Sequence, residues 1–455
     1  MKKRSPVLLV LLLAGCASQP SHLSDAELQT AAQQGQGQAQ YELAERLAAK
    51  PDYPAAMHWM KQASKLGTLN SDGALRGKAA LQVGNWYHAG LGEPRNQAQA
   101  REWWQSAARL GNDDAGYQLG LDCQSRHKGK LPQECLDWLT PAAEEGHVQA
   151  QLLLGQWYAA QPEGGEDALR WLTASAKQGD RQAQYQLGQR YEQGVGVTKS
   201  QATADEWYRK AAAQQQPDAL LILAKRADAK QATPLYQRAA EAGSAEAQRW
   251  LGLAYMKGDP LPLNPTQGQY WLTLAAGQGD HQAEYQLSLQ QSEAAQRQHW
   301  LTLAADGGVA RAQYELGQLR QQSGDLEAAR REYARAAAQN EADARYAYGE
   351  MQRLGQGGKA DYSAALKEYR LAANQGHQQS QYRMGMMREQ GLGAPRNQVQ
   401  AYAWYLLAAT NGEPEASQAR DELEQALQPK EKQAGQKLAQ YWYTKLGGQD
   451  QPFQG

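Results

Sequence analysis

The sequence is short of several residues that would ordinarily direct its reading. Of 455 residues, one is phenylalanine, Phe453, and three are cysteine, although 23 are tyrosine and 13 tryptophan. One phenylalanine among so many other rings excludes an ordinary mixed aromatic core. It is what results when a template demanding Tyr and Trp is copied along a chain. Charge of one sign is also missing: 47 Lys and Arg face 48 Asp and Glu, for a formal net charge of -1. Without a basic surplus, no nucleic acid partner is expected. Mean hydropathy is -0.77, too polar for a multi-span membrane protein. The apolar run from Pro6 to Leu13 is too short to cross a bilayer as a mature helix.

The motifs of common chemistries are absent as well. There is no G-x-S-x-G elbow and no H-E-x-x-H pair. The loops Gly90-Leu91-Gly92, Gly194-Val195-Gly196 and Gly391-Leu392-Gly393 lack the G-K-[ST] that a phosphate cradle needs. The eight histidines are scattered, and His147 and His377, just after helix-ending glycines, read as surface residues. Asp113-Asp114 and Glu144-Glu145 read as solvated or capping carboxylates. No catalytic residue, cofactor or metal follows from these positions.

What is present is a repeated unit, shown well by Ala183 to Gln216. Ala183, Leu187 and Tyr191 make one helical stripe, with the small Gly188 beside it. Gly194-Val195-Gly196 stops that helix. Ala204, Trp207, Tyr208, Ala211 and Ala212 then make a second stripe. The unit is helix A, loop, helix B, and neither helix can bury its stripe without stacked neighbours. Eleven anchors in helix A recur along the chain: Ala39, Ala79, Ala115, Ala150, Ala183, Ala219, Ala247, Ala283, Ala312, Ala344 and Ser380. In helix B, Trp59, Trp103, Trp138, Trp171, Trp271, Trp300 and Trp404 are each followed eight residues later by glycine. These tryptophans read as the rings of the interhelix seam, with Tyr236, Tyr333 and Tyr369 replacing them in other units. The units from Ala219 and Ala283 have lost most of their loops, and Thr233-Pro234 reads as the restart of helix B in the first.

The pattern A-x-x-x-L-G-x-x-Y, G-x-G, a Trp-centred helix, A-A and a late Gly resembles Sel1-like repeats, a subclass of tetratricopeptide-type repeats. The resemblance implies an all-α, right-handed α-solenoid over residues 24–412. A C-terminal helical cap over 413–446 and a disordered tail over 447–455 would follow. It also implies a non-catalytic scaffold that holds protein partners along its concave face. The side chains that the repeat rule leaves free are then the binding candidates: Gln186, Gln189 and Arg190 in one unit, and Glu315, Gln318 and Arg320 in another.

The N-terminus adds a location. Lys2, Lys3 and Arg4 precede the apolar run, which ends in Leu13-Ala14-Gly15-Cys16. This resembles the lipobox of bacterial lipoproteins. It implies a signal peptide over 1–15, acylation of Cys16, a tether over 16–23 and membrane attachment by the acyl chains. Ala17, not an aspartate, points in Gram-negative lipoproteins to the outer membrane, facing the periplasm. Envelope or outer-membrane proteins are the expected partners. Lipid-anchored helical-repeat proteins that assist export of alginate-type exopolysaccharides are similar in anchor, repeat class and cap. That offers a narrower role as an assembly factor for an export porin. Glycan or peptidoglycan binding through exposed rings is the alternative from another class. Cys123 and Cys135 fall on the two helices of one hairpin, and a disulfide and two free thiols both stay open. A metal site on Cys123, His127 and Cys135 lacks a fourth ligand at suitable spacing.

Overall fold

The computed structural model describes residues 23–65, 67 and 72–446. The expected signal peptide, Cys16, nearly all of the expected tether and the expected tail lie outside them. Among the described residues there are 25 α-helices and no strand, an all-α repeat solenoid. The chain divides between Leu223 and Ala224 into two compact units.

The first unit opens on α1 (Asp25–Gln33), where Ser24 and Glu27 form a reciprocal capping box. Five hairpins follow: α2 (Gly37–Ala49) with α3 (Tyr53–Ala63), α4 (Gly73–Ala89) with α5 (Gln97–Arg109), α6 (Asp113–Arg126) with α7 (Gln133–Glu144), α8 (Val148–Ala159) with α9 (Gly165–Lys177), and α10 (Arg181–Gln193) with α11 (Gln201–Ala213). Helix α12 (Pro217–Arg226) contains the division.

The second unit holds α13 (Ala229–Glu241) and five more hairpins. These are α14 (Ala245–Lys257) with α15 (Pro265–Gly277), α16 (His281–Gln290) with α17 (Ala294–Asp306), α18 (Ala310–Gln322) with α19 (Leu326–Ala338), α20 (Ala342–Leu354) with α21 (Tyr362–Ala373), and α22 (Gln378–Gln390) with α23 (Gln398–Thr410). Helices α24 (Pro414–Ala426) and α25 (Pro429–Lys445) pack on α23, where Trp442 stacks on Trp404 at 4.2 Å.

The eleven anchors are all fully buried. Their small side chains let helix A approach the preceding helix B. A cap three residues earlier sets the start of many helices: Asp180 accepts from the Ala183 amide at 2.7 Å, and Asp280 from the Ala283 amide at 2.9 Å. His147 and His377 do the same through Nδ1 at 3.1 Å each. They are mostly buried capping groups, not the surface residues expected, because each ring also lies against a helix-A tyrosine, Tyr117 or Tyr346.

Two seams divide the work that the sequence assigned to tryptophan alone. Within a hairpin, the glycine of helix A touches the residue after the tryptophan position. A Cβ on Gly188 would lie 2.7 Å from Tyr208, and one on Gly84 2.5 Å from Trp104. The tryptophan itself, about 100° round the helix, faces the preceding hairpin. Trp207 packs with Leu172, Ala176, Ala183 and Leu187, and Trp300 with Leu272, Ala275 and Leu287. Most of these tryptophans are therefore half-buried, and the deeper ring is Tyr208, Tyr333, Tyr369 or Tyr405.

A ladder of glutamines joins successive hairpins. The residue after the anchor is a buried glutamine in many units, and its Nε2 donates to a carbonyl near the C-terminus of the preceding helix. Gln40 reaches Ala32, Gln151 Ala143, Gln184 Ala176, Gln248 Ala240, Gln313 Ala305 and Gln381 Ala373, at 2.9 to 3.2 Å. In all of these but Gln40, whose Oε1 is buried without a hydrogen bond, Oε1 accepts from a residue at the end of the following helix: Gln178, Gln214, Gln278, Gln339 or Asn411. Each of these helix-end carbonyls already accepts the amide of the glycine three residues on, as Ala176 does from Gly179 at 3.1 Å, and the glutamine adds a second donor from the next hairpin. Part of the glutamine excess is therefore internal scaffolding and not surface.

Pro234 also sits elsewhere than expected. Helix α13 starts at Ala229 behind the cap Asp228, so Pro234 is inside the helix and not in its first turn.

Candidate functional site

Seven residues after the anchor, the stripe is apolar and buried in several hairpins, as at Trp86, Ala254, Met351 and Met387. In α6 and α10 the same position carries a charge, Asp122 and Arg190, and each is nine-tenths or more buried. Both line clefts of the first unit.

The cleft at Arg190 has a volume of about 450 Å³ and is lined by Gln156, Ala159, Leu172, Gln186, Gln189, Arg190, Gln193 and Val195. Helices α8 and α10 supply its amides, and the loop after α10 supplies its apolar rim. That loop turns because Gly194 takes the left-handed conformation at φ 77°. Arg190 Nη1 donates to the carbonyls of Val195 at 3.2 Å and Gly165 at 3.5 Å. It has no carboxylate partner among the described residues, and burial lowers its pKa from the ordinary arginine value. Gln189 Nε2 donates to the Tyr185 hydroxyl at 2.8 Å. Gln186 Oε1 is buried with no hydrogen-bond partner. The cleft thus offers a guanidinium without a counter-ion beside a free amide acceptor.

The cleft at Asp122 is larger, about 560 Å³. It lies among α4, α5 and α6 and includes His88, Arg95, Gln97, Trp104, Asp122, Ser125 and Arg126. A hydrogen-bond chain runs along it. His88 Nδ1 meets Gln97 Oε1 at 2.8 Å, and Gln97 Nε2 donates to Asp122 Oδ1 at 2.6 Å. The other Asp122 oxygen meets Arg101 Nε at 3.3 Å and Arg126 Nε at 3.2 Å. Asp122 is thereby compensated, and the wall presents polar groups fixed in orientation. The amide of Gln97 stands between His88 and Asp122, so among the described residues the imidazole meets an amide and not a carboxylate.

The structure brings three of the six binding candidates together: Gln186, Gln189 and Arg190 share one cleft. The other three are paired with neighbours, although Glu315 Oε2 makes no hydrogen bond and has only the Arg297 guanidinium at 3.5 Å. Glu315 accepts from the Tyr285 hydroxyl at 2.8 Å and pairs with Arg297 and Arg311. Burial, with the Glu315 hydrogen bond, pushes the Tyr285 pKa up to about 12. Gln318 donates to the Tyr314 hydroxyl at 2.9 Å, and Arg320 pairs with Asp325 at 3.7 Å. The Asp122 cleft was missed from sequence: the register also holds Arg46, Arg226 and Gln290, none of them buried, so polarity there does not single out Asp122. Cys123 and Cys135 are joined as a disulfide, with Cα atoms 5.4 Å apart. Among the described residues, no helix is long and apolar enough to cross a membrane.

The Sel1 repeat family model matches residues 37–68, 77–112, 115–147, 148–180, 181–215, 223–244, 245–280, 342–377 and 378–413. A protective antigen of uropathogenic Escherichia coli strains, described as displaying an SLR fold, is 28% identical in sequence. That match covers 94% of this chain and 96% of the other, with a TM-score of 0.72. A Sel1 repeat protein from Oxalobacter formigenes is 27% identical over 71% of this chain and 89% of its own, with a TM-score of 0.35. An F-box protein of Arabidopsis thaliana is 40% identical over 72 residues, which is 16% of this chain and 20% of that protein. The chain therefore spans about a fifth of the length of this curated relative.

Proposed function

The chain belongs to the Sel1 repeat family, and from that premise we propose that it is a non-catalytic scaffold whose first unit grips an extended segment of a partner protein. The observation that carries the reading is the buried charge in the apolar register, above all Arg190, with Gln186 Oε1 unpaired beside it. A buried cation without a counter-ion costs stability unless a partner supplies the missing charge or acceptor. The glutamines around it match the alternating donors and acceptors of a polypeptide backbone. Each contact is modest, and a few buried anchors dominate the affinity.

The scaffold is displayed at the periplasmic face of the outer membrane by acyl chains on Cys16. The lipobox residues Leu13 to Cys16 support that location. The Escherichia coli relative is described as a protective antigen, which supports an envelope setting. Anchoring raises the effective concentration for membrane partners.

The test is a photo-cross-linking amino acid placed at Gln193, in the cleft, and at Arg209, exposed on α11. Polypeptide adducts are expected from Gln193 in cell envelopes, reduced by Arg190→Met, and not from Arg209. Equal labelling from both positions, or adducts with glycan alone, refutes the reading. Cys16→Ala is expected to move the chain from the membrane to the soluble fraction. Deletion of the gene with polymer export and porin level unchanged excludes the narrower export role.

A further inference from the structure

The α6–α7 hairpin carries a cluster that neither cleft uses. Cys123 and His127 lie one turn apart at the end of α6, and Glu134 and Cys135 lie in the first turn of α7. The connection between them turns at Lys128 and Gly129, both with positive φ, and so returns α7 to the end of α6. Two sulfurs, an imidazole nitrogen and a carboxylate oxygen consequently lie within 4.8 Å of one another. His127 Nε2 is 3.3 Å from Glu134 Oε1, and that oxygen is 3.5 Å from Cys123 Sγ. The sequence hid the fourth member, because a glutamate next to a cysteine at a helix start reads as a capping charge.

We infer that this hairpin is a redox-gated site for a zinc-class divalent cation, held by Cys123, His127, Glu134 and Cys135. The donor set is the mixture of thiolate, imidazole and carboxylate that suits a tetrahedral, borderline-soft ion. A disulfide sulfur is a poor ligand, and the thiolate is required. In the oxidised chain the Glu134 carboxylate faces a sulfur that has no proton to give.

A dithiol reductant opens the site. It transfers two electrons and two protons to the Cys123–Cys135 bond and itself becomes a disulfide. The cation then binds both sulfurs as thiolates, and two protons leave to solvent. Two thiolates and one carboxylate around a doubly charged ion leave one negative charge. Arg126, 3.6 Å from Glu134 Oε1, stands beside it. The same loop is closed by a covalent bond in one state and by a metal in the other. This inference does not depend on the scaffold reading.

The experiment uses the full chain, oxidised and phosphine-reduced, titrated with cobalt(II) and then with zinc(II). The reduced chain is expected to bind one cobalt per chain, with the visible bands and near-ultraviolet charge transfer of a tetrahedral thiolate site. Zinc is expected to displace the cobalt, and the oxidised chain to bind neither at this stoichiometry. The side chains of His127 and Glu134 are 38% and 56% exposed, so His127→Gln and Glu134→Gln should keep the far-ultraviolet dichroism. Second-shell changes already cost about 10–100-fold in metal affinity, so each ligand loss should weaken zinc at least about tenfold. No cobalt bound after reduction, an octahedral spectrum, equal binding by the oxidised chain, or unchanged zinc affinity in both variants overturns the inference.

Discussion

Replacing Gln184 by methionine tests whether the glutamine ladder couples neighbouring hairpins. The two side chains are similar in length, so the change removes hydrogen bonds with little change in volume. Gln184 Nε2 donates to the Ala176 carbonyl at 3.1 Å, and its Oε1 accepts from Gln214 Nε2 at 3.0 Å. The buried Ala176 carbonyl keeps the Gly179 amide at 3.1 Å and loses only its second donor, about 1 kcal/mol. Gln214 is exposed and keeps its bond to the Gly179 carbonyl at 2.8 Å, so the second loss is about 0.5 kcal/mol. The apolar thioether offsets about 0.5 kcal/mol of this. A net weakening of about 1 kcal/mol at the α9–α10 junction follows from these terms. Stability in a repeat array is a sum of unit and interface terms, so one global transition is the wrong measure. Native-state hydrogen exchange read by mass spectrometry resolves the junction. Amides of α9 and α10 should exchange roughly fivefold faster, and those of α22 and α23 should not change. Gln186→Met, on the same helix but with its Oε1 unpaired, should leave exchange as it is. Exchange at α9 and α10 that stays within a factor of about three of the wild type would refute the ladder as an energetic coupling.

Three further outcomes follow from the packing. Gly188→Ala brings a Cβ to 2.7 Å from Tyr208, and overpacking of about 1–3 kcal/mol exceeds the roughly 1 kcal/mol helix gain. Gly277→Ala meets nothing within 4 Å and should stabilise by about 0.5–1 kcal/mol, so thermal scans should move the two variants in opposite directions. Burial lowers the pKa of His377, with Asp343 opposing only in part. The unfolded chain therefore takes the proton more readily. The stability of the α20–α22 region should be full above the ordinary histidine pKa and be lost as pH falls through it toward the folded value. His377→Asn keeps an N-cap and should flatten that profile in exchange measurements. Reduction of the Cys123–Cys135 bond without metal, or Cys135→Ser, removes closure of a loop with a sequence separation of 12 and should loosen the α6–α7 hairpin by up to about 3 kcal/mol. Protease cleavage after Lys128 or Lys130 reads that loosening.

The fold was legible because its rule is written in small residues. An alanine that must touch a neighbouring helix cannot be replaced freely, so Ala39 to Ala344 mark ten helices A, the equally small Ser380 marks the eleventh, and all are buried. The rule was less legible where two roles adjoin. Trp207 and Tyr208 both lie on the apolar stripe, and only the contact with Gly188 shows that the tyrosine closes the hairpin while the tryptophan meets the preceding one. Gln184 was illegible, since a glutamine after a buried alanine reads as a polar face. The carbonyl it serves belongs to another helix and has no signature of its own. Pro234 misled for a similar reason: Asp228 is the true cap, and a shortened loop hid it.

The candidate site was half legible, and the missing half shows what sequence alone lacks. Gln186, Gln189 and Arg190 were chosen because the repeat leaves them free, and so were Glu315, Gln318 and Arg320. The two sets differ in what surrounds them. Arg297 and Arg311 pair with Glu315 and Asp325 with Arg320, whereas among the described residues no carboxylate reaches Arg190. A variable position is therefore only an opportunity, and it becomes a site when the fold withholds its partner. The register seven residues after the anchor states this condition most sharply. Where it holds Met351 or Met387, the seam is complete within the chain. Where it holds Arg190, a charge is buried with no carboxylate partner among the described residues. That makes Arg190→Met the informative substitution: it gives α10 the register residue of α20 and α22, and with it α10 should become more resistant to exchange at the same time as cross-linking from Gln193 falls.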